Sequence, residues 1–176
     1  GVRYRKKFIT QFLVASLLPI SGFYLNNLYG LLGLYELPVY VGVPLTILLI
    51  VFITNAVNLI DGIDGLAAGG STFSFVVIGW MFFQKELWLY SMLAFSAAGC
   101  LIPFLYFNIW GRASKGTKMF MGDAGSLSLG FLLSFLIIKF PLYISETDPD
   151  VKNLVIPFTL LFIPMFDALR VMLVRA

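Results

Sequence analysis

Histidine is absent from this chain of 176 residues, cysteine occurs once, at Cys100, and charged side chains make up only 12% of the sequence. The first two shortages exclude a disulfide framework, a histidine-based zinc site and a Cys–His nucleophile pair. The third excludes an ordinary soluble domain, whose surface takes about 25% charged residues to cover. What is abundant is apolar: 60% of the residues are hydrophobic and 16% aromatic. A hydrocarbon layer of about 30 Å is crossed by about 20 apolar residues in a helix. The length therefore holds six such crossings with short loops between them.

Six apolar stretches run over 8–29, 37–60, 66–83, 87–107, 125–143 and 154–174. None alternates strictly as barrel strands do, and helices satisfy their own backbone in lipid, so the pattern predicts helices. Pro44, Pro103, Pro157 and Pro164 fall inside these stretches, where bundled membrane helices tolerate kinks. The basic run Arg3, Arg5, Lys6, Lys7 before the first stretch resembles the start of a signal peptide, but no small-residue cleavage site follows and five more stretches do. The expectation is an all-α integral membrane protein, a single transmembrane domain over 1–176 with about six helices and both termini cytoplasmic. That threading puts Arg3, Arg5, Lys6, Lys7, Arg112, Lys115, Lys118, Arg170 and Arg175 inside, nine of the twelve basic residues, and only Lys85, Lys139 and Lys152 outside. Glu36, Glu86, Glu146, Asp148 and Asp150 go to the outer loops. The net charge of +3 thus reflects topology, and no nucleic-acid partner is needed to account for it.

The remaining acids, Asp61, Asp64, Asp123 and Asp167, fall on the cytoplasmic face. Asn55, Asn58, Asp61 and Asp64 recur every third residue after the apolar run 45–53, a spacing that on a helix stacks oxygen-bearing groups on neighbouring turns. Carboxylate and amide oxygens suit a hard divalent cation such as Mg²⁺, with waters and substrate phosphates completing its shell. Gly62 and Gly65 leave backbone amides open to a phosphate. The plainer reading, Asp-Gly pairs as tight turns, suits one pair better than two preceded by spaced asparagines inside a membrane boundary. An EF-hand is excluded, because Ile63 stands at a ligand position and the closing Glu is missing.

A second cluster, Lys118 to Ser126, precedes the fifth stretch. A helix N-terminus among glycines is an anion site, and Lys118 adds a point charge for phosphate. Asp123 there repels phosphate unless a metal lies between them, or else it serves as an N-cap. Phe120 offers a ring for a base to stack on, or an interfacial aromatic. Asp167 and Arg170 have the spacing of an intrahelical ion pair, and Cys100 and the methionines read as packing.

Asn55-Ala-Val-Asn-Leu-Ile-Asp-Gly-Ile-Asp-Gly-Leu-Ala67 and Phe120-Met-Gly-Asp-Ala-Gly-Ser-Leu127 resemble the polyprenyl-phosphate N-acetylhexosamine-1-phosphate transferases, a superfamily that includes the phospho-MurNAc-pentapeptide translocases. Pro164-Met-Phe-Asp-Ala-Leu-Arg-Val171 is similar to the branch that moves GlcNAc-1-phosphate. The resemblance implies transfer from a UDP-N-acetylhexosamine to undecaprenyl phosphate with release of UMP, at the cytoplasmic face of a bacterial inner membrane. It implies Mg²⁺, with Mn²⁺ as a substitute, on Asp123 and Asn58, and Asp61 at the reaction centre. It also implies a uracil pocket of Gly62, Ile63 and Asp64 with Phe120 on the base, Asn108 on the nucleotide, and a homodimer as one assembly open to the family. By the same resemblance the chain corresponds to the central and C-terminal helices of a longer enzyme, without its upstream aspartate-rich loop and downstream His- or Arg-bearing loop. Two rivals stand beside this reading. A catalytically incomplete member would share the architecture, and a cation-coupled transporter would place its polar groups near mid-membrane.

Overall fold

The structure, a computed structural model, describes residues 4–144 and 150–175. Arg3, Glu146 and Asp148, which enter the charge distribution above, lie outside the described residues. The chain is all-α, with helices α1 (Tyr4–Ile20), α2 (Val39–Ile60), α3 (Leu66–Gln84), α4 (Trp88–Trp110), α5 (Gly122–Ile144), α6 (Lys152–Thr159) and α7 (Phe162–Arg175). Among the described residues four helices, α2 to α5, are long and apolar enough to cross a membrane.

The first and last of the six apolar stretches depart from one continuous helix each, for local reasons. Gly22, at φ 82°, closes α1. Its N–H donates to Pro19 O at 3.0 Å and that of Phe23 to Leu18 O at 3.2 Å, the paired bonds of a glycine-terminated helix end. Residues 23–38 then fold back on α2, where Leu25 N–H donates to Thr46 Oγ1 at 2.9 Å. The last stretch is split between α6 and α7. In an unbroken helix Leu160 O would pair with the N–H of residue 164, but Pro164 has none. Instead Leu160 O accepts the Ser74 hydroxyl of α3 at 3.2 Å.

The core lies between α2, α3 and α5, where Ile53, Val57, Phe75, Ile78, Phe82, Leu136 and Ile137 are buried. α2 and α5 meet closely because Gly130 has no side chain: a Cβ there would lie 2.7 Å from Thr54 Cα. Small residues at a helix crossing are the expected device where lipid supplies no hydrophobic drive between helices. Short links, 61–65 between α2 and α3 and 111–121 between α4 and α5, bring the end of α2 and the start of α5 to one end of the bundle.

Candidate functional site at one end of the bundle

Asp123 lies in the first turn of α5, directly after Gly122, whose φ of 67° is left-handed and suits glycine. One carboxylate oxygen of Asp123, Oδ1, accepts from Asn58 Nδ2 at 3.2 Å, and the other accepts from Lys7 Nζ of α1. The same Asn58 amide donates to Ser126 Oγ at 2.7 Å, so the last turn of α2 is tied to the first turn of α5. Asp61 follows α2 and lies close to the Gly122 N–H at the start of α5. Burial, then the negative charges of Asp123 and Asp64, push its carboxyl above the usual carboxylate range, and the nearby Gly122 backbone N–H offsets part of that rise.

The every-third-residue ladder does not run down one helix face, because α2 stops at Ile60. Asn58 and Asp61 turn to Asp123. Asn55 faces α1, donating to Gln11 Oε1 at 2.6 Å and to Val51 O at 2.7 Å. Asp64, past the turn, meets Lys118, whose Nζ lies 2.6 Å from Asp64 Oδ2 and 2.6 Å from Asn108 O. Gly65, at φ 79°, caps α3, and a Cβ there would lie 2.8 Å from Ile109 Cδ1. That glycine is thus required by conformation and space alike, whereas Gly62 faces open space beyond Leu59 O at 3.9 Å.

Asn108 is buried at 5% exposure, and both ends of its amide are engaged: Oδ1 accepts Gly65 N–H at 2.6 Å and Nδ2 donates to Met119 O at 2.9 Å. It braces the 62–65 turn against the 117–121 segment from beneath. The faces left open above belong to Ile63, 62% exposed, and Phe120, 75% exposed, with Lys118 Nζ 5.9 Å from the Phe120 ring centre. Asp167 stands apart from this constellation as an ion pair with Arg170, Oδ1 to Nη2 at 2.7 Å.

Among the described residues no three His, Cys, Asp or Glu side chains converge as a closed metal cage. Mg²⁺ does not need one, since it commonly takes one or two carboxylates and completes its octahedron with water and phosphate. Asp123 beside Asp61 is such a donor pair, all oxygen, and the ammonium already resting on Asp123 marks a position where a cation is favoured. Asn58 presents its amide nitrogen to Asp123, so it would join a metal only with the amide turned over.

Lys7, Gln11 and Thr54 escape a sequence reading of the site. Lys7 belongs to a basic run that topology alone accounts for, and Gln11 stands as one polar residue in an apolar stretch; its spacing from Lys7, four residues, is the one available signal.

A model of glycosyl transferase family 4 matches residues 1–141 of the chain. The chain is 37% identical over 163 residues to the "Probable undecaprenyl-phosphate N-acetylglucosaminyl 1-phosphate transferase" of Bacillus subtilis (strain 168), covering 92% of this chain and 43% of that protein. It is 34% identical over 145 residues to the phospho-N-acetylmuramoyl-pentapeptide-transferase of Prochlorococcus marinus (strain MIT 9515), covering 78% and 39% respectively. A third relative, the undecaprenyl-phosphate alpha-N-acetylglucosaminyl 1-phosphate transferase of Yersinia pestis, is 27% identical over 168 residues, 95% of this chain and 45% of that protein. The chain thus spans about two fifths of the length of the curated relatives it matches. On the breadth of the family match and of these identities, the chain belongs to glycosyl transferase family 4.

Proposed function

We propose that this chain carries the nucleotide and metal half of a transfer site that moves N-acetylhexosamine-1-phosphate, GlcNAc-1-phosphate in particular, from its UDP-sugar to undecaprenyl phosphate. The observation that carries the reading is the meeting of Asn58, Asp61 and Asp123 with the Asp64–Lys118–Phe120 platform at one end of apolar helices. One substrate is water-soluble and the other is held in lipid, so the end of a membrane bundle is where the two can meet. A phosphate oxygen of the lipid attacks the β-phosphorus, the bond from that phosphorus to the bridging oxygen breaks, and UMP departs with the bridging oxygen. The bond between the sugar and its phosphate is untouched.

Such a transfer needs in-line positioning and neutralisation of charge on the phosphoryl oxygens. Mg²⁺ held by Asp123 and Asp61 would supply that neutralisation at the diphosphate. The chain's own residues do the rest. Phe120 offers its exposed ring to the uracil, and the 62–64 turn supplies backbone and the Asp64 carboxylate at the base edge. Lys118 fixes Asp64 and adds positive charge beside the nucleotide phosphates. Asn108 keeps the two segments in register. The setting is the cytoplasmic face of a bacterial inner membrane, where nucleotide sugars are made.

Titration of the purified chain with UMP and UDP-GlcNAc, with and without Mg²⁺ and with ADP as control, tests this. Uridine-selective binding that tightens with Mg²⁺ for the diphosphate is expected, and it requires no turnover. Asp123→Asn should abolish the Mg²⁺ effect and leave UMP binding within about twofold. Equal binding of UDP-GlcNAc and ADP by a folded protein would falsify the assignment.

A further inference from the structure

The protein itself occupies both oxygens of Asp123. Asn58 donates to Oδ1 at 3.2 Å, and Oδ2 is taken by the ammonium of Lys7, a residue 116 positions away on α1. The Lys7 side chain is 27% exposed, so its stem is packed and its reach is set by α1. It stands at the mouth of a cleft of about 510 Å³ between α1, α2 and α5, which Lys6, Gln11, Thr54 and Ser128 also line. In the wall of that cleft Thr54 is buried at 3% exposure, and its Oγ1 has no hydrogen-bond partner among the described residues. A buried hydroxyl left unpaired is unfavourable by about 1–3 kcal/mol unless a ligand or water meets it. Lys6 and Lys7 bring two positive charges to a cleft whose wall is otherwise largely apolar.

An ammonium and a divalent ion cannot share Oδ2, because their mutual repulsion at contact distance opposes it. Three carboxylates, Asp61, Asp64 and Asp123, face two ammonium groups, Lys7 and Lys118, so the cluster tolerates the added ion once Lys7 moves off. We propose that Lys7 is an exchangeable cation of this site: it holds Asp123 while no divalent ion is bound and, once displaced, pairs with a phosphate oxygen of the anion that enters the α1–α2–α5 cleft. The proposal rests on the reading of Asp123 as a metal ligand. It adds that metal loading and phosphate capture are linked through one side chain, so that Lys7 opposes the first and promotes the second.

That opposition of sign is the test. Mn²⁺ binding to the purified chain is followed by electron paramagnetic resonance, and inorganic pyrophosphate is then titrated at saturating Mn²⁺. Lys7→Met, which keeps the packed stem, should bind Mn²⁺ about three- to tenfold more tightly and pyrophosphate about tenfold more weakly than the parent. Lys7→Gln should behave alike, and thermal unfolding monitors the fold of both. Unchanged or weaker Mn²⁺ binding in both variants overturns the proposal, and parallel loss of both affinities makes Lys7 a structural strut and overturns it too. Asp123→Asn separates the premises. If it loses Mn²⁺ while the Lys7 variants gain nothing, only the exchange fails; if it keeps full Mn²⁺ affinity, the metal reading itself fails.

Discussion

Asp61 joins burial to acidity at this site. Its carboxyl is raised by desolvation first and by Asp123 and Asp64 second, so on acidification it takes up its proton at a higher pH than an ordinary aspartate does. A divalent ion and that proton compete for the same oxygens. Metal affinity therefore falls as pH drops through the raised value, earlier than it would for a carboxyl at 3.8. Mn²⁺ affinity measured against pH should weaken across this upper range in the parent chain, and Asp61→Asn should flatten that part of the curve; an unchanged curve would remove Asp61 from the metal's surroundings. Asn108 makes a different prediction. Asn108→Ala leaves Gly65 N–H and Met119 O without their buried partner, which should destabilise the fold by about 2 kcal/mol, read as a lower Tm, and loosen UMP binding only through the turn it braces. The residue types of the site were legible in spacing and chemistry, since Asp, Asn and Gly at a membrane boundary have few structural uses. Lys7 was not, because a lysine near an interface has an ordinary topological reason to be there. The burial of Asn108 was not either, because the sequence does not say which side of a turn an amide will face.

Among the elements, the crossing of α2 and α5 decides whether the site exists. Thr54 meets Gly130 one helical turn below the point where Asn58 meets Ser126, so the close approach at the first pair sets the 2.7 Å hydrogen bond at the second. Gly130→Val places methyl groups where Thr54 Cα stands 2.7 Å from a bare Cβ, and the helices must separate. Overpacking of this kind is unfavourable by about 1–3 kcal/mol. The variant should unfold at lower temperature and also lose Mn²⁺ affinity, since Asn58 would no longer reach Asp123. Gly62→Ala is the contrast: with nothing nearer than Leu59 O at 3.9 Å, it should leave Tm unchanged within error. Any loss there must then be read as a ligand that needed the bare backbone, and UMP titration measures it. Four of the six apolar stretches became the four long helices because composition decides burial in lipid over that length. The first and last did not, because hydropathy does not register a glycine at φ 82° or the hydrogen bond that Pro164 cannot give to Leu160. Gly22 and Pro164 were both visible as residues, but their effect depends on which carbonyl lies four positions back.

The whole molecule sorts its charge by end. Lys7 pairs with Asp123 and Lys118 with Asp64 at one end of the bundle, while Lys85, in the short link between α3 and α4, lies one helix length away at the other. If the basic N-terminus and the 111–121 link face the cytoplasm, as the positive-inside bias of lysine and arginine predicts, the site opens toward the pool of soluble nucleotides. The chain lends itself to a direct check, because Cys100 on α4 is its one cysteine. In a Cys100→Ser background, Lys85→Cys and Lys115→Cys are each treated with a membrane-impermeant maleimide on intact spheroplasts and again after lysis. Both positions are exposed loop residues, so reactivity reports sidedness and not burial. Lys85→Cys should react before lysis and Lys115→Cys only afterwards. The reverse pattern would put the carboxylate cluster outside the cell, where no UDP-sugar reaches it, and the transferase reading would fall even if the metal bound as expected. Labelling of both before lysis would mean that the α4–α5 link does not stay on the side where the charge distribution places it, and the argument from basic residues would fail with it.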